Sequence, residues 1–153
     1  MSSKDVPPKR KFDITPFDFD PKPVKSFVAK FINERVASTR LTESQIVFLA
    51  MLDEEKGMSL REMTDTVGVH KSLTTRAVKH LAENGFVINT SESGKEYSIV
   101  LTPKGAEAKE VALAAFNELF RLLMQEVTEE EFVVFEAVMS KVKRRMIELS
   151  VKE

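Results

Sequence analysis

The sequence predicts a mainly α-helical protein with one small β-hairpin, and three observations support this fold class. Apolar residues recur at three- and four-residue steps over most of the chain, which is the spacing of a helix face. Three segments begin with the Ser/Thr-x-x-Glu/Gln pattern of a capping box, at Thr42, Ser59 and Thr128. Between residues 86 and 101, two segments rich in β-branched residues flank a polar turn, which is typical of a hairpin.

Length and composition exclude several classes of protein. The 153 residues correspond to about one domain, and 42% of them are hydrophobic, which is enough for a buried core. No apolar run approaches the roughly 20 residues that cross a bilayer, and residues 1–13 lack the apolar stretch of a signal peptide. The absence of cysteine excludes disulfides, thiolate metal sites and thiol redox sensing. We therefore expect a cytoplasmic protein.

Charge is distributed unevenly although the formal net charge is only −1. Residues 1–41 carry a net +4, residues 42–69 a net −4, residues 70–104 a net +2 and residues 105–153 a net −3. Local charge matters more than the total because electrostatic attraction is screened over about 10 Å at moderate salt. The excess in 70–104 is informative only if that segment is also shaped to meet phosphates.

The N-terminal part divides into an arm and a helix. Residues 1–23 contain five of the six prolines and are predicted to form an extended arm. Its apolar residues leave open whether the arm packs onto the protein or is a flexible tail. A first helix is predicted over 24–41.

Three helices are predicted next. The second begins at the cap Thr42 and ends at Gly57, and the short third helix lies between the cap Ser59 and Gly68. The fourth begins at 69–72 and ends at Gly85, a residue that favours a left-handed cap. The predicted inner face of the fourth helix consists of Leu73, Ala77, Val78 and Leu81.

A hairpin and two long helices complete the chain. Strands are predicted over 86–89 and 95–101, and Thr102 followed by Pro103 marks the start of a helix over 103–125. The last helix follows the cap Thr128 and has a heptad seam. That seam consists of Phe132, Phe135, Met139, Val142, Met146 and Leu149. After the arm, we therefore divide the chain into an N-terminal helix (24–41), a helix-rich middle segment (42–102) and a segment with the last two helices (103–153).

The middle segment has the order helix, helix, helix, hairpin, which is a winged helix-turn-helix arrangement. Small hydroxyl residues allow a helix to enter a major groove about 12 Å wide, an arginine can pair with guanine or a phosphate, and lysines suit phosphates. The fourth helix carries such residues on its predicted outward face: Lys71, Ser72, Thr74, Thr75, Arg76 and Lys79. The alternative is an ordinary solvated polar face. On the hairpin, Lys95 can reach a minor groove or the flanking backbone, although Glu92 and Glu96 reduce the local charge.

Four motifs together resemble the MarR family of winged-helix transcriptional regulators. They read LTESQ at 41–45, SLRE at 59–62, HKSLTTRAVKHLAENGFV at 70–87 and VLTPKG at 100–105. The resemblance covers about 40–149 and matches the first helix more weakly.

The resemblance implies a homodimer whose N- and C-terminal helices interleave and whose two winged domains bind a pseudo-palindromic operator. It implies that the fourth helix reads the major groove, with Ser72, Thr74, Thr75 and Arg76 at the family's DNA-contacting positions. Lys95 takes the place of the family's wing arginine, and the aspartate that usually precedes it by two residues is Ser93. Because lysine lacks the planar fork of arginine, we expect weaker or less selective contact with the minor groove.

Dimerisation is also predicted from the residues themselves, because the last two helices carry more apolar surface than a monomer of this size exposes. The candidates for a shared core are Phe27, Phe31, Phe116, Phe120, Phe132 and Phe135, together with Met139, Val142, Met146 and Leu149 on the seam. The alternative is that both helices fold back onto their own winged domain.

Regulation is the least constrained property. The resemblance implies small anionic aromatic effectors, metals or cysteine oxidation, of which the last is excluded here. We expect neither a cofactor nor a metal site, because the only histidines, His70 and His80, are ten residues apart on a cationic helix. A small hydrophobic or anionic effector would bind near Phe31, Met51 and Phe116, which are otherwise core residues.

The sequence therefore predicts a homodimeric, double-stranded DNA-binding regulator, a repressor that a small ligand releases. The alternative is a winged-helix protein-interaction module that has lost DNA binding. We expect no enzyme, since no nucleophile–base set, glycine-rich phosphate loop or metal cluster is evident.

Overall fold

The computed structural model describes residues 21–91 and 98–151. Its elements are α1 (Pro21–Val36), a 3-10 turn (Ala37–Thr39), α2 (Glu43–Met51), α3 (Leu60–Val67), α4 (Lys71–Glu83), β1 (Val87–Asn89), β2 (Ile99–Leu101), α5 (Pro103–Leu123) and α6 (Glu129–Ser150). The predicted class, mainly α with a small hairpin, is confirmed. No helix within the described ranges is long and apolar enough to span a membrane.

Helix α1 begins earlier than predicted. Residues 21–23, which we expected in the extended arm, form the first turn of this helix. Pro21 and Pro23 are compatible with helix there because the first N–H groups of a helix have no intrahelical acceptor. The rest of the predicted arm, residues 1–20, lies outside the described residues.

The three predicted capping boxes are present at the starts of α2, α3 and α6. The clearest is that of α3, where the Glu62 N–H donates to Ser59 Oγ at 3.1 Å and the Ser59 N–H donates to Glu62 Oε2 at 2.7 Å. These two bonds satisfy groups that a helix start leaves without partners. The bond from the Ser59 N–H, together with the Ser59 hydroxyl, holds the pKa of the Glu62 carboxyl below its ordinary value. Local side-chain chemistry therefore sets where these helices begin.

Helix α2 ends at Met51, so the prediction that Gly57 ends it is wrong. The turn that follows is closed by Asp53, whose Oδ1 accepts the N–H groups of Glu55 at 2.7 Å and Lys56 at 3.1 Å. These bonds favour the charged carboxylate and lower the pKa of Asp53. An aspartate that bonds the backbone two residues on is a turn former in its own right, and it acts here before the glycine is reached.

The core lies between α1, α2, α4 and α5. Its fully buried side chains include Ile32, Ile46, Leu49 and Leu81. Helix α5 presents small residues to this core, which allows its backbone to approach α2 closely. Its buried face consists of Gly105, Ala108, Ala112, Ala115 and Leu119.

The sheet contains more pairing than the sequence predicted. Strands β1 and β2 are antiparallel, with Val87 opposite Leu101 and Asn89 opposite Ile99. Met58, from the loop before α3, also pairs with Ile99 through two backbone hydrogen bonds of 3.0 and 2.9 Å. This bridge ties the start of the helix-turn-helix to the hairpin.

Helices α5 and α6 behave differently, although the sequence treated them as a pair. Helix α5 packs onto its own winged domain, as the alternative interpretation proposed. Helix α6 has no buried residue, and its seam side chains Phe135, Met139, Val142 and Met146 are 59%, 47%, 46% and 65% exposed. The alternative that α6 also folds back onto its own winged domain is therefore wrong.

Candidate nucleic-acid interface

The helix-turn-helix is formed by α3 and α4. Gly68 ends α3 with a left-handed backbone (φ 73°), and its N–H donates to the Thr64 carbonyl at 2.9 Å. Only glycine adopts this conformation readily, so the glycine fixes the direction in which α4 departs. Met63 and Leu81 bury the inner sides of the two helices, which leaves one face of α4 in solvent.

Most of the predicted contact residues of α4 lie on that open face. The exposed side chains are Lys71, Ser72, Thr75, Arg76 and Lys79. Lys79 Nζ lies 3.9 Å from Glu83 Oε1, and both side chains are mostly exposed, so this pair is weak. Among the described residues, Lys71 and Arg76 form no ion pair. Both cations are thus available to an anionic ligand.

Thr74 does not lie on this face, and its assignment as a contact residue is wrong. Its side chain is 0% exposed, and its hydroxyl lies 2.8 Å from the Thr64 hydroxyl of α3. The inner face of α4 consists of Thr74, Ala77, Val78 and Leu81, at the helical spacing of three and four residues. Leu73, which we expected inside, is 41% exposed. The apolar leucine and the polar threonine therefore have the reverse of their predicted positions.

A further cation beside the open face, Arg61, was not among the residues predicted from the sequence. Arg61, the second residue of α3, has a side chain that is 91% exposed, with its Nε 3.9 Å from Asp65 Oδ2. Arg61, Thr64 and Lys71 line a shallow hollow of about 270 Å³ between α3 and α4. The SLRE capping box could have revealed this residue, because it places Arg61 in the first turn of α3 with a polar environment.

The start of α2 borders the other side of α4. Ser44, Gln45, Leu73, Arg76 and Ala77 line a hollow of about 190 Å³. The guanidinium of Arg76 therefore shares this edge with a hydroxyl at the N-terminal end of a helix, where the helix dipole favours negative charge. The open face extends in this way from α3 across α4 to α2.

The tip of the hairpin, with Lys95, lies outside the described residues. Its base is described. Asn89 Oδ1 accepts the N–H groups of Ser91 at 3.1 Å and Ser98 at 3.0 Å, and the Thr90 N–H donates to the Ser98 carbonyl at 2.8 Å. These bonds fix the two points from which the tip departs.

The residues predicted for a dimer interface divide into three groups by their exposure. Phe27, Phe120 and Phe135 are exposed, as are the seam residues Met139, Val142, Met146 and Leu149. Phe116 and Phe132 are half-buried, and the ring of Phe132 lies 6.0 Å from that of Phe120 in an edge-to-face arrangement. Phe31 is buried in the core of its own chain, so its ring offers little surface to a second copy.

The burial of Phe31 is reinforced by an ion pair between α1 and α5. The Arg35 guanidinium lies over the Phe31 ring, 3.3 Å from its centroid. Its Nε and Nη2 donate to the two carboxylate oxygens of Glu118 at 2.7 and 3.0 Å. This fork lowers the pKa of Glu118 and raises that of Arg35. Of the other two residues predicted for a ligand crevice, Phe116 is half-buried and Met51 is 48% exposed, so the crevice stays a prediction.

Within residues 21–91 and 98–151, no group of three or more His, Asp or Glu side chains could hold a metal ion.

Comparison with known proteins connects this arrangement to a family. Residues 41–92, from the start of α2 through β1, match the sequence model of the MarR family. Over this part of the chain, the sequence is similar to that of the MarR family. No curated protein sequence is significantly similar to the chain.

Several solved structures share the fold beyond the winged helix. The structure of MarR itself has 21% identity and a TM-score of 0.67, with 89% of this chain and 97% of that chain covered. The S. aureus MepR–DNA complex has 15% identity and a TM-score of 0.71, covering 82% of this chain and 93% of that one. A Listeria monocytogenes chain assigned to the MarR family and complexed with 26mer DNA has 19% identity and a TM-score of 0.72, covering 82% and 85%. At these identities the likeness concerns the fold.

Proposed function

We propose that the chain is a homodimeric transcriptional regulator that binds specific double-stranded DNA through the open face of α4. The observation that carries the proposal is the pair of unpaired cations, Lys71 and Arg76, beside the exposed hydroxyls of Ser72 and Thr75. These groups occupy one face of the second helix of a helix-turn-helix, the helix that enters the major groove in such proteins. The DNA complexes of the two similar structures support the same assignment.

Each exposed side chain has a distinct role in this proposal. Arg76 offers a planar fork that suits guanine O6 and N7 or a phosphate. Ser72 and Thr75 are small enough to let the helix approach base edges closely. The Ser72 hydroxyl can donate to bases or phosphates, and the Thr75 hydroxyl, which donates to the Lys71 carbonyl at 3.0 Å, can accept from a base amino group. Lys71 and Lys79 contact the phosphate backbone, and Arg61 and Ser44 extend that contact on either side of α4. Thr74 takes no part, because it is buried against Thr64.

Helix α6 supplies the argument for a homodimer. Apart from the half-buried Phe132, its apolar side chains are exposed from Val133 to Leu149, and large exposed apolar surfaces mark interaction sites. Phe27 and Phe120, which are exposed on α1 and α5, provide a surface of the same chemistry for a second copy. A two-fold axis would then present two α4 helices about 34–36 Å apart, or a multiple of that distance, along the DNA.

We further propose that the bound dimer represses transcription by occupying promoter DNA in the cytoplasm and that a small hydrophobic or anionic effector releases it. Transcription of the adjacent gene in vitro, with and without the protein, tests repression directly. A rise in transcript on addition of the protein would identify an activator instead.

Replacing Arg76 by alanine should weaken binding to a selected operator by about 1–3 kcal/mol, since it removes a bidentate contact at the centre of the face. Arg121→Ala is the matched control, because Arg121 is an exposed arginine in the last turn of α5. Fluorescence anisotropy with an operator selected from random duplexes measures both variants. Equal losses for the two variants would contradict the assignment of Arg76.

Binding should weaken as salt rises, because each lysine or arginine on a phosphate releases counterions. A plot of log affinity against log salt should be steeper for the wild type than for Lys71→Ala by about one unit. Titration at several salt concentrations measures the two slopes, and identical slopes would remove Lys71 from the phosphate contacts.

Thr74 and Thr75 form an internal pair of controls. Thr74→Val should cost about 1 kcal/mol in the free energy of unfolding, because it removes a buried hydroxyl pair with Thr64, while operator affinity is kept. Thr75→Val should leave stability nearly unchanged and weaken binding. Urea denaturation measures the stability of both variants, and anisotropy measures their operator affinity. A Thr74→Val protein of full stability that binds DNA poorly would contradict the buried position of Thr74.

A protein-interaction module without DNA binding is the second candidate, and the formal net charge of −1 favours it. It predicts flat anisotropy titrations at low salt with every duplex tested. It also predicts that alanine variants of Lys71 and Arg76 retain the affinity for the protein partner, unless that partner binds α4.

A further inference from the structure

Leu73 stands out on α4 because it is an apolar side chain on the open, polar face. It is 41% exposed, whereas Ala77, Val78 and Leu81 of the same helix are buried and Ala82, the other exposed apolar residue, has only a methyl side chain near the C-terminal end. The helical phase explains this exposure. Thr74 is four residues before Val78 and seven before Leu81, so it takes the inner position and leaves Leu73 at the edge of the outer face.

The position of Leu73 within α4 directs it toward a bound duplex. It is the third residue of the helix, next to the exposed Ser72, and it borders the hollow that Arg76 and Ser44 also line. Side chains on a helix lean toward its N-terminus, which moves the leucine toward the end that enters a groove. Residues near the N-terminus of a recognition helix are those that contact base edges.

The apolar side chain of leucine limits the groups of DNA that it can contact favourably. Its side chain forms no hydrogen bond, so it gains nothing from phosphates or from the donors and acceptors of base edges. The 5-methyl group of thymine is the apolar group that a base pair presents in the major groove. The neighbouring cations Lys71 and Arg76 can hold the phosphates on either side, which would keep Leu73 close to the base edges.

Resting on the proposed function, we infer that Leu73 is a specificity-determining residue that packs against the 5-methyl group of one thymine in each half-site. Burial of a methyl group against the leucine favours thymine over cytosine at that position without any hydrogen bond.

The test uses the full-length protein and an operator selected from random duplexes. Each thymine of one half-site is replaced in turn by deoxyuridine, which removes only the methyl group. Wild-type protein should lose about three- to fivefold in affinity at one position and little elsewhere. Leu73→Ala should lose a similar factor on the unmodified operator and show no further loss at that same position. Because Leu73 is exposed and alanine favours helix, this variant should fold as the wild type does, which circular dichroism verifies.

The outcomes separate the inference from the proposed function. If the wild type selects an operator, yet deoxyuridine has the same effect on wild type and Leu73→Ala at every position, DNA binding stands and the methyl contact is wrong. A selected operator without thymine in either half-site overturns the contact equally. If the wild type binds no duplex, the proposed function fails, and the inference fails with it.

Discussion

Replacing Met139 and Val142 together by glutamate is expected to convert the dimer into a monomer. Both side chains lie on the exposed seam of α6, so the folded monomer can hold the glutamates in solvent at little cost. In a two-fold interface the same change places four uncompensated charges against apolar surface, and leaving even one buried charge unpaired costs about 3–5 kcal/mol. The dimer dissociation constant should therefore rise by more than about a hundredfold.

The monomer should also bind the operator weakly. A dimer engages its second half-site as an intramolecular event, which raises the overall affinity by about 10²–10⁴ over a single contact. Sedimentation velocity gives the association state, and anisotropy gives the operator affinity, of the same samples. Ala137→Glu is the control, because it adds one glutamate, half the charge of the double variant, on α6 at an exposed position off the seam. Dimers of equal strength in the double variant would show that α6 does not form the interface.

Gly105→Ala is expected to destabilise the fold by about 3 kcal/mol, because the space for a side chain is absent. Gly105 is buried in the first turn of α5, and a Cβ there would overlap the backbone carbonyl of Phe86 and lie 3.2 Å from Leu101 Cδ2. The Phe86 carbonyl oxygen also accepts the Thr102 N–H at 3.1 Å. The added methyl group must therefore push the start of α5 away from the end of the helix-turn-helix.

Helix propensity alone predicts that Gly105→Ala stabilises the protein, so the sign of the stability change distinguishes the two effects. Alanine is favoured over glycine in a helix interior by about 1 kcal/mol, so a loosely packed site would be stabilised by this change. Ala106→Gly, at the next position, should lose only about that 1 kcal/mol. Urea denaturation of both variants measures the difference. A Gly105→Ala protein as stable as the wild type would show that α5 does not approach Phe86 this closely.

The features that the sequence predicted correctly depend on neighbouring residues. A threonine before a proline at 102–103 and the capping box at Ser59 act within one helical turn, so their geometry can be inferred from the chain itself. Helix α1 begins before the predicted residue because the first turn of a helix tolerates prolines, which interrupt a helix only further along.

The predictions that were wrong concern features that depend on the orientation of a helix or on contacts between residues far apart in the chain. On α4, Leu73 was predicted to be buried because it is apolar. The spacing of four residues to Val78 and seven to Leu81 instead makes Thr74 the inner residue. The pairing of Met58 with Ile99 joins residues that are 41 positions apart, so no local sequence pattern predicts it. The capping box at Ser59 places Arg61 in the first turn of α3, but the hollow that Arg61 shares with Lys71 depends on the angle between α3 and α4, which no local pattern gives.

The central claim is that a pair of α4 helices reads duplex DNA, and footprinting of a selected operator tests it most directly. The wild type should protect two symmetric half-sites whose centres lie about 10–10.5 base pairs apart, or a multiple of that spacing, and Arg76→Ala should lose both protections together. Protection that persists unchanged in Arg76→Ala, or the absence of any protected site at low salt, would contradict the claim.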